Sequence, residues 1–139
     1  YVSQSSALRH YGLIPEMVHA VQAVTTKHSR DFETPIGFFR YTGCSDEYFH
    51  IGLKIMYESG VNFLIASPEK AICDLINFSK GVSLRFVKDV RTFLEDDIRF
   101  DTDALADLDI EIIRRCAQHS RRQKSIENLI KYIQYERDL

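Results

Sequence analysis

The chain has 139 residues, enough for one ordinary domain with a sizeable core and too few for several. Hydrophobic residues make up 45% and charged residues 27%, with only 6 Gly and 3 Pro, which excludes a linker or low-complexity protein. The formal net charge of -2 singles out no polyanionic partner, and no apolar run approaches the roughly 20 residues a membrane helix needs.

Ser3 to Tyr11 reads as a short helix, with Ser3 as N-cap and Gly12 at the position after the C-cap. Pro15 then stops the helix from resuming. Val18 to Thr26 is rich in β-branched residues and reads as a strand. Arg30 to Tyr41 is a hairpin candidate that turns at Pro35-Ile36-Gly37. Tyr48 to Tyr57 and Val61 to Ile65 form a second expected strand pair about Ser59-Gly60.

The period then changes. Ser67 to Ser79 reads as a helix: Ser67 caps it, Pro68 sits at the first helical position, and Glu69 faces the positive end of its dipole. Ala71, Ile72, Leu75 and Ile76 supply its buried stripe, and Lys70 and Asp74 are placed for an i,i+4 ion pair. Leu84 to Glu95 sets Phe86, Val87, Val90, Phe93 and Leu94 on one face. Asp109 to His119 and Ser125 to Tyr135 repeat the helical pattern, the second through Ile126, Leu129, Ile130 and Ile133. Strands followed by helices predict an α+β fold. A mostly antiparallel sheet from the N-terminal half would pack against helices from the C-terminal half, in one domain over 1–139. Within it, 1–80 is the α/β part and 81–139 the helical part.

The usual marks of chemistry are few. The three cysteines, Cys44, Cys73 and Cys116, are far apart and form no Cys-x-x-Cys. They argue against a disulfide framework or structural zinc, and for reduced thiols in a cytoplasmic protein. Cys73 lies among Ile72, Leu75 and Ile76, a setting that raises a thiol pKa and makes it inert. No two of the five histidines are spaced as a helical metal pair. Phosphate-binding glycine loops and a nucleophile elbow are absent from the sequence. Asp31 and Glu33 alternate on a strand as a solvated face would, and no Glu-x-Lys follows them.

The acidic run from Glu95 to Asp109 lacks the spacing of a calcium loop, and Asp101 and Asp109 read as helix caps. No cofactor or metal is expected. Directly after that run come Arg114, Arg115, Arg121, Arg122 and Lys124, the candidates for contact with nucleic-acid phosphates. Tyr132 and Tyr135, beside the last apolar stripe, are candidates for an interaction or oligomerisation face.

Four segments in order carry a resemblance. Tyr1-Val2-Ser3-Gln4-Ser5-Ser6-Ala7-Leu8, with Tyr11-Gly12-Leu13-Ile14-Pro15-Glu16, resembles the start of the large domain of AbiEi-type antitoxins. Val24-Thr25-Thr26 with a following basic residue is similar as well. So is Phe32-Glu33-Thr34-Pro35-Ile36-Gly37 with Phe39-Arg40-Tyr41. The fourth segment is Ala66-Ser67-Pro68-Glu69-Lys70-Ala71 with Asp74-Leu75. The likeness covers the first 80 residues or so; the tail after Gly81 carries no matching motif. It implies a non-enzymatic bacterial antitoxin and transcriptional autorepressor of a type IV system in phage defence. Its partner would be a nucleotidyltransferase-type toxin, opposed without the need for a stable complex.

Members of that family carry an N-terminal winged helix-turn-helix that reads operator DNA, and this chain is expected to be the C-terminal domain without it. Gly12, Pro15, Gly37, Ser67, Pro68, Glu69, Lys70 and Asp74 are then family-motif positions with structural work to do. The remaining alternative is a nuclease-like enzyme using Glu69, Lys70 and Asp74.

Overall fold

The computed structural model describes every residue of 1–139 except Val18, Ile36 and Leu139. The expected strand start at Val18 and the central residue of the Pro35-Ile36-Gly37 turn therefore lie outside the described residues. The elements in order are α1 (Gln4–His10), β1 (Ala20–Thr25), β2 (Arg30–Thr34), β3 (Gly37–Gly43), α2 (Asp46–Phe49), β4 (Leu53–Glu58), β5 (Val61–Ala66), α3 (Pro68–Phe78), α4 (Val87–Thr92), α5 (Ile110–Gln118) and α6 (Gln123–Arg137). A π turn over Phe93–Asp97 extends α4, and a 3-10 turn spans Thr102–Asp107. The fold is α+β.

Helix boundaries follow local chemistry. At the end of α1, the Gly12 and Leu13 amides donate to the Arg9 and Leu8 carbonyls, and Gly12 takes φ +73°. That is the Schellman ending, in which glycine accepts the left-handed backbone. Asp109 starts α5 by accepting from the Glu111 amide at 2.9 Å, and Asp101 accepts from the Asp103 amide at 3.1 Å. The expected helix from Leu84 begins instead at Val87, because the Asp89 carboxylate takes the Phe86 amide at 2.9 Å and fixes the start there. Phe86 is consequently exposed, not part of the buried stripe.

The sheet departs from the expected pattern in two ways. β2 and β3 form the expected antiparallel hairpin, with Phe32 opposite Phe39. β3, however, sits between β2 and β1 and runs parallel to β1, with Val21 beside Phe39. The hairpin has folded back against the strand before it, so the sheet is mixed. Second, Tyr48 does not begin a strand. Ser45 caps a short helix by accepting from the Tyr48 amide at 3.3 Å, and β4 starts at Leu53.

The segment Tyr1–Ser3 joins the two sheets. Val2 bridges Ile65 on one side and Ala23 on the other. Its amide donates to the Leu64 carbonyl at 3.0 Å, and the Ala66 amide donates back to Val2 at 2.8 Å. On the β1 side, Val24 donates to the Tyr1 carbonyl at 2.8 Å and Ser3 donates to Gln22 at 2.9 Å. The strand order across the molecule is therefore β2, β3, β1, the Tyr1–Ser3 segment, β5, β4.

One core serves both halves of the chain. It runs from Ala7 and Leu8 through Ile72 and Ile76 to Ile126, Leu129 and Ile133. α3 packs on α1 and β5 on one side and on α5 and α6 on the other. Every residue from Glu69 to Asn77 is buried as a result, including three that carry charge by type, Glu69, Lys70 and Asp74. The expected one-sided stripe on this helix is thus a helix buried all round.

Candidate functional site

The polar residues of α3 meet a polar cluster deep in the core. Ser67 caps the helix as expected, accepting from the Lys70 amide at 3.2 Å, with Pro68 in its first turn. Beyond that point the expected i,i+4 pair does not form. Lys70 and Asp74 are both fully buried, and each binds other groups. The ion pairs among the described residues are Arg40–Asp31, Arg91–Glu95 and Arg114–Glu111.

The Lys70 ammonium donates to the Tyr48 carbonyl, to Ile51 at 2.8 Å and more weakly to Phe49 at 3.4 Å. These carbonyls lie in the last turn of α2 and just beyond it, where the Tyr48 carbonyl also accepts from the Ile51 amide at 3.3 Å, so Lys70 secures the end of that helix from a distance. It also lies 4.0 Å from the centroid of the Tyr48 ring. Burial lowers its pKa, and Asp74 opposes that shift.

Asp74 accepts from the hydroxyls of Tyr48 at 2.5 Å, Tyr1 at 2.9 Å and Ser3. Ser3 stands at the N-cap position of α1 as expected, but its hydroxyl serves Asp74 and not the helix. Burial raises the Asp74 pKa; the hydroxyls of Ser3, Tyr48 and Tyr1 and the charge of Lys70 hold it back. Burial and the neighbouring carboxylate push the Tyr48 and Tyr1 hydroxyls upward. Asn77 extends the cluster, donating to the Tyr48 hydroxyl at 3.1 Å and to Ser120 at 3.0 Å. Glu69 does not face its own helix dipole alone: its carboxylate accepts from the Asp109 amide at 2.7 Å and ties α3 to the start of α5.

Lys70, Asp74 and Asn77 are each bound by other parts of the chain. No buried side-chain nitrogen or oxygen lacks a partner among the described residues. The thiols are equally quiet. Cys73 is raised by its contact with Cys116 and by burial, and burial lifts the half-buried Cys44 to about 11. A thiol with that pKa is almost entirely protonated at neutral pH.

The other motif positions lie apart from the cluster. Pro15 is exposed after the Gly12 turn, and Gly37 opens β3. Asp31 and Glu33 share the solvated strand face, where Asp31 meets Arg40 at 3.4 Å.

The basic residues divide into two kinds. Arg122, expected as a phosphate contact, is partly buried and is held by the chain itself. Its guanidinium donates to the carbonyls of Ile76 and Ser79 at 2.8 Å each, and to Val82. It closes the C-terminal end of α3, which lacks a glycine cap. Arg114 is half-buried and 3.5 Å from Glu111. Arg115, Arg121 and Lys124 remain exposed. Arg121 and Lys124 edge an open groove of about 430 Å³ between the Gly81–Ser83 loop and the start of α6. Arg121 also borders a smaller cleft of about 130 Å³, whose floor is Tyr48 and Asn77 and whose rim includes Cys44, His119 and Ser120. Tyr132 is a core residue, whereas Tyr135 is exposed.

Sequence reasoning missed Tyr48, Asn77, Ser120 and Ser3 as members of the buried cluster. The one available signal was Tyr1 and Ser3 within the first resemblance segment, and nothing in the sequence placed them beside Asp74. Among the described residues no helix is long and apolar enough to cross a membrane, and no group of acidic, cysteine or histidine side chains is arranged to hold a metal ion. No model of a known protein family matches the chain, and no curated protein sequence is detectably similar to it.

Proposed function

We propose that this chain is the antitoxin domain of an AbiEi-like toxin–antitoxin pair, non-enzymatic, acting in the cytoplasm. It opposes a nucleotidyltransferase-type toxin and contributes to transcriptional autoregulation. The observation that carries the reading is where the resemblance residues lie. Tyr1 and Ser3 from the first segment and Lys70 and Asp74 from the fourth are 67 or more positions apart, yet they form one buried cluster. Residues that hold a fold together in this way are those a family motif retains without catalysis. The engagement of Glu69, Lys70 and Asp74 by the chain itself supports a non-enzymatic role over the nuclease-like alternative.

Backbone contact to nucleic acid falls to Arg121 and Lys124 at the α6 groove, with Arg115 on α5. Base-specific reading of an operator belongs to the winged domain that the resemblance implies. The deciding experiment is co-expression of the natural protein with its cognate toxin. Relief of growth arrest is expected, and unrelieved arrest overturns the antitoxin reading. For nucleic acid, affinity should fall with salt, and Arg121→Ala with Lys124→Ala should lower the slope of log affinity against log salt by about 2 without changing sequence preference.

A further inference from the structure

The two edges of the sheet are defended differently. β2 presents Arg30, Asp31 and Glu33, exposed charges of the kind that discourage pairing with another chain. β4 presents Ile55 and Tyr57, 61% and 73% exposed, with Leu64 beside them at 41%. Ile55 stands opposite Leu64 on β5, so these side chains share one face of the hairpin.

The hairpin turns at Ser59-Gly60, both with positive φ, at 50° and 78°. In a two-residue hairpin of this type the residues flanking the turn exchange both hydrogen bonds. Here those are Glu58 and Val61. The backbone groups of Glu58, Met56 and Lys54 are then spent on β5, and those of Tyr57, Ile55 and Leu53 point outward. Among the described residues β4 pairs with no strand but β5.

We propose that β4 is a self-association edge, and that its occupant is β4 of a second copy of this chain. The pairing is antiparallel, about a two-fold axis through Met56. The charge pattern of the strand selects this arrangement. With Met56 opposite Met56, Lys54 lies opposite Glu58 of the other copy, twice by symmetry. Ile55 lies opposite Tyr57, and both have outward backbone groups, so they form a hydrogen-bonded pair.

Moving the axis to Ile55 or to Tyr57 sets Met56 against Lys54 or Glu58 and breaks both charge pairs. An axis between residues would oppose an outward backbone group to an inward one. Lys54 alone would guard the edge, and Glu58 at the matching position is what turns it into a recognition element. The inference is independent of the antitoxin reading, since it concerns neither the toxin nor the basic groove.

Sedimentation equilibrium over a range of protein concentrations should show a monomer–dimer equilibrium. Lys54→Glu, which sets Glu against Glu twice, should raise the dissociation constant about tenfold or more, and Glu58→Lys likewise. The double variant Lys54→Glu with Glu58→Lys restores opposite charges and should return the constant to within about threefold of the parent. Circular dichroism and melting of each variant check that the fold is kept. Met56→Cys should cross-link as a dimer under mild oxidation while the parent, with its native cysteines, does not. A strict monomer at all concentrations, a dimer indifferent to Lys54→Glu, or a charge swap that fails to restore association would each overturn the proposal.

Discussion

The Tyr48 hydroxyl donates to the Asp74 carboxylate at 2.5 Å, and both residues are buried. The contact joins α2 to the central helix, and the same carboxylate accepts from Tyr1 and Ser3 in the segment that joins the two sheets. Asp74 is therefore the point at which the sheet's central segment, α2 and α3 are held together.

Asp74→Ala leaves three hydroxyls in the core without their acceptor. The loss should be about 2–4 kcal/mol of unfolding free energy, measured by denaturant titration. Asp74→Asn should cost less, because an amide can accept from one hydroxyl and donate to another. Equal losses in the two variants would show that the carboxylate's hydrogen bonds are not what matters.

The same carboxylate should leave a mark on pH dependence. Its folded pKa is raised by burial, so between the unfolded and folded values the native state binds more protons. By linkage, its contribution to stability falls as pH rises through that window and is constant above it. Subtracting the stability curve of Asp74→Asn from that of the parent should expose a decline with rising pH, beginning near the ordinary carboxylate range. Lys70 acts at the other end: its lowered folded pKa makes stability rise with pH from that value towards the unfolded one. A flat difference curve at acid pH would remove the buried carboxylate from the account.

Gly52 has φ +64°, and a β-carbon there would lie 2.9 Å from Ile112 and 3.1 Å from both the Lys70 Cβ and the Ser67 hydroxyl. Its backbone also accepts from the Ser67 amide at 2.8 Å. Gly52→Ala should thus destabilise by about 2 kcal/mol or more, through both strain and overpacking. Thermal melting measures this, and a change within about 0.5 kcal/mol would mean that α5 and α3 yield easily at this point.

Arg121 and Arg122 are neighbours with separate work. Arg122→Ala removes the donor shared by the Ile76, Ser79 and Val82 carbonyls and should cost about 1–3 kcal/mol. Arg121→Ala, at an exposed position, should stay within about 0.5 kcal/mol. Only the second is a clean probe of nucleic-acid contact. If the stability effects came out reversed, the division of the basic group would be wrong.

What could be read in advance was whatever neighbouring residues settle among themselves. Ser67, Asp101 and Asp109 cap turns that begin one or two residues later, and Gly12 ends α1 within its own turn. The β2–β3 and β4–β5 hairpins and the stripe of α6 were legible for the same reason. Local capping, turn geometry and periodicity involve groups a few positions apart, and their energetics barely depend on the rest of the chain. Tertiary structure alone decided that β1 runs parallel to β3, that Val2 joins the two sheets, and that α3 is buried on every side. It also decided the work of Lys70, Asp74 and Arg122, whose side chains bind partners about 20 to 73 positions away. At the sequence level a buried lysine and an exposed one look alike, because burial is set by which distant elements pack around it. The hydrogen bonds that make such burial tolerable come from those same elements.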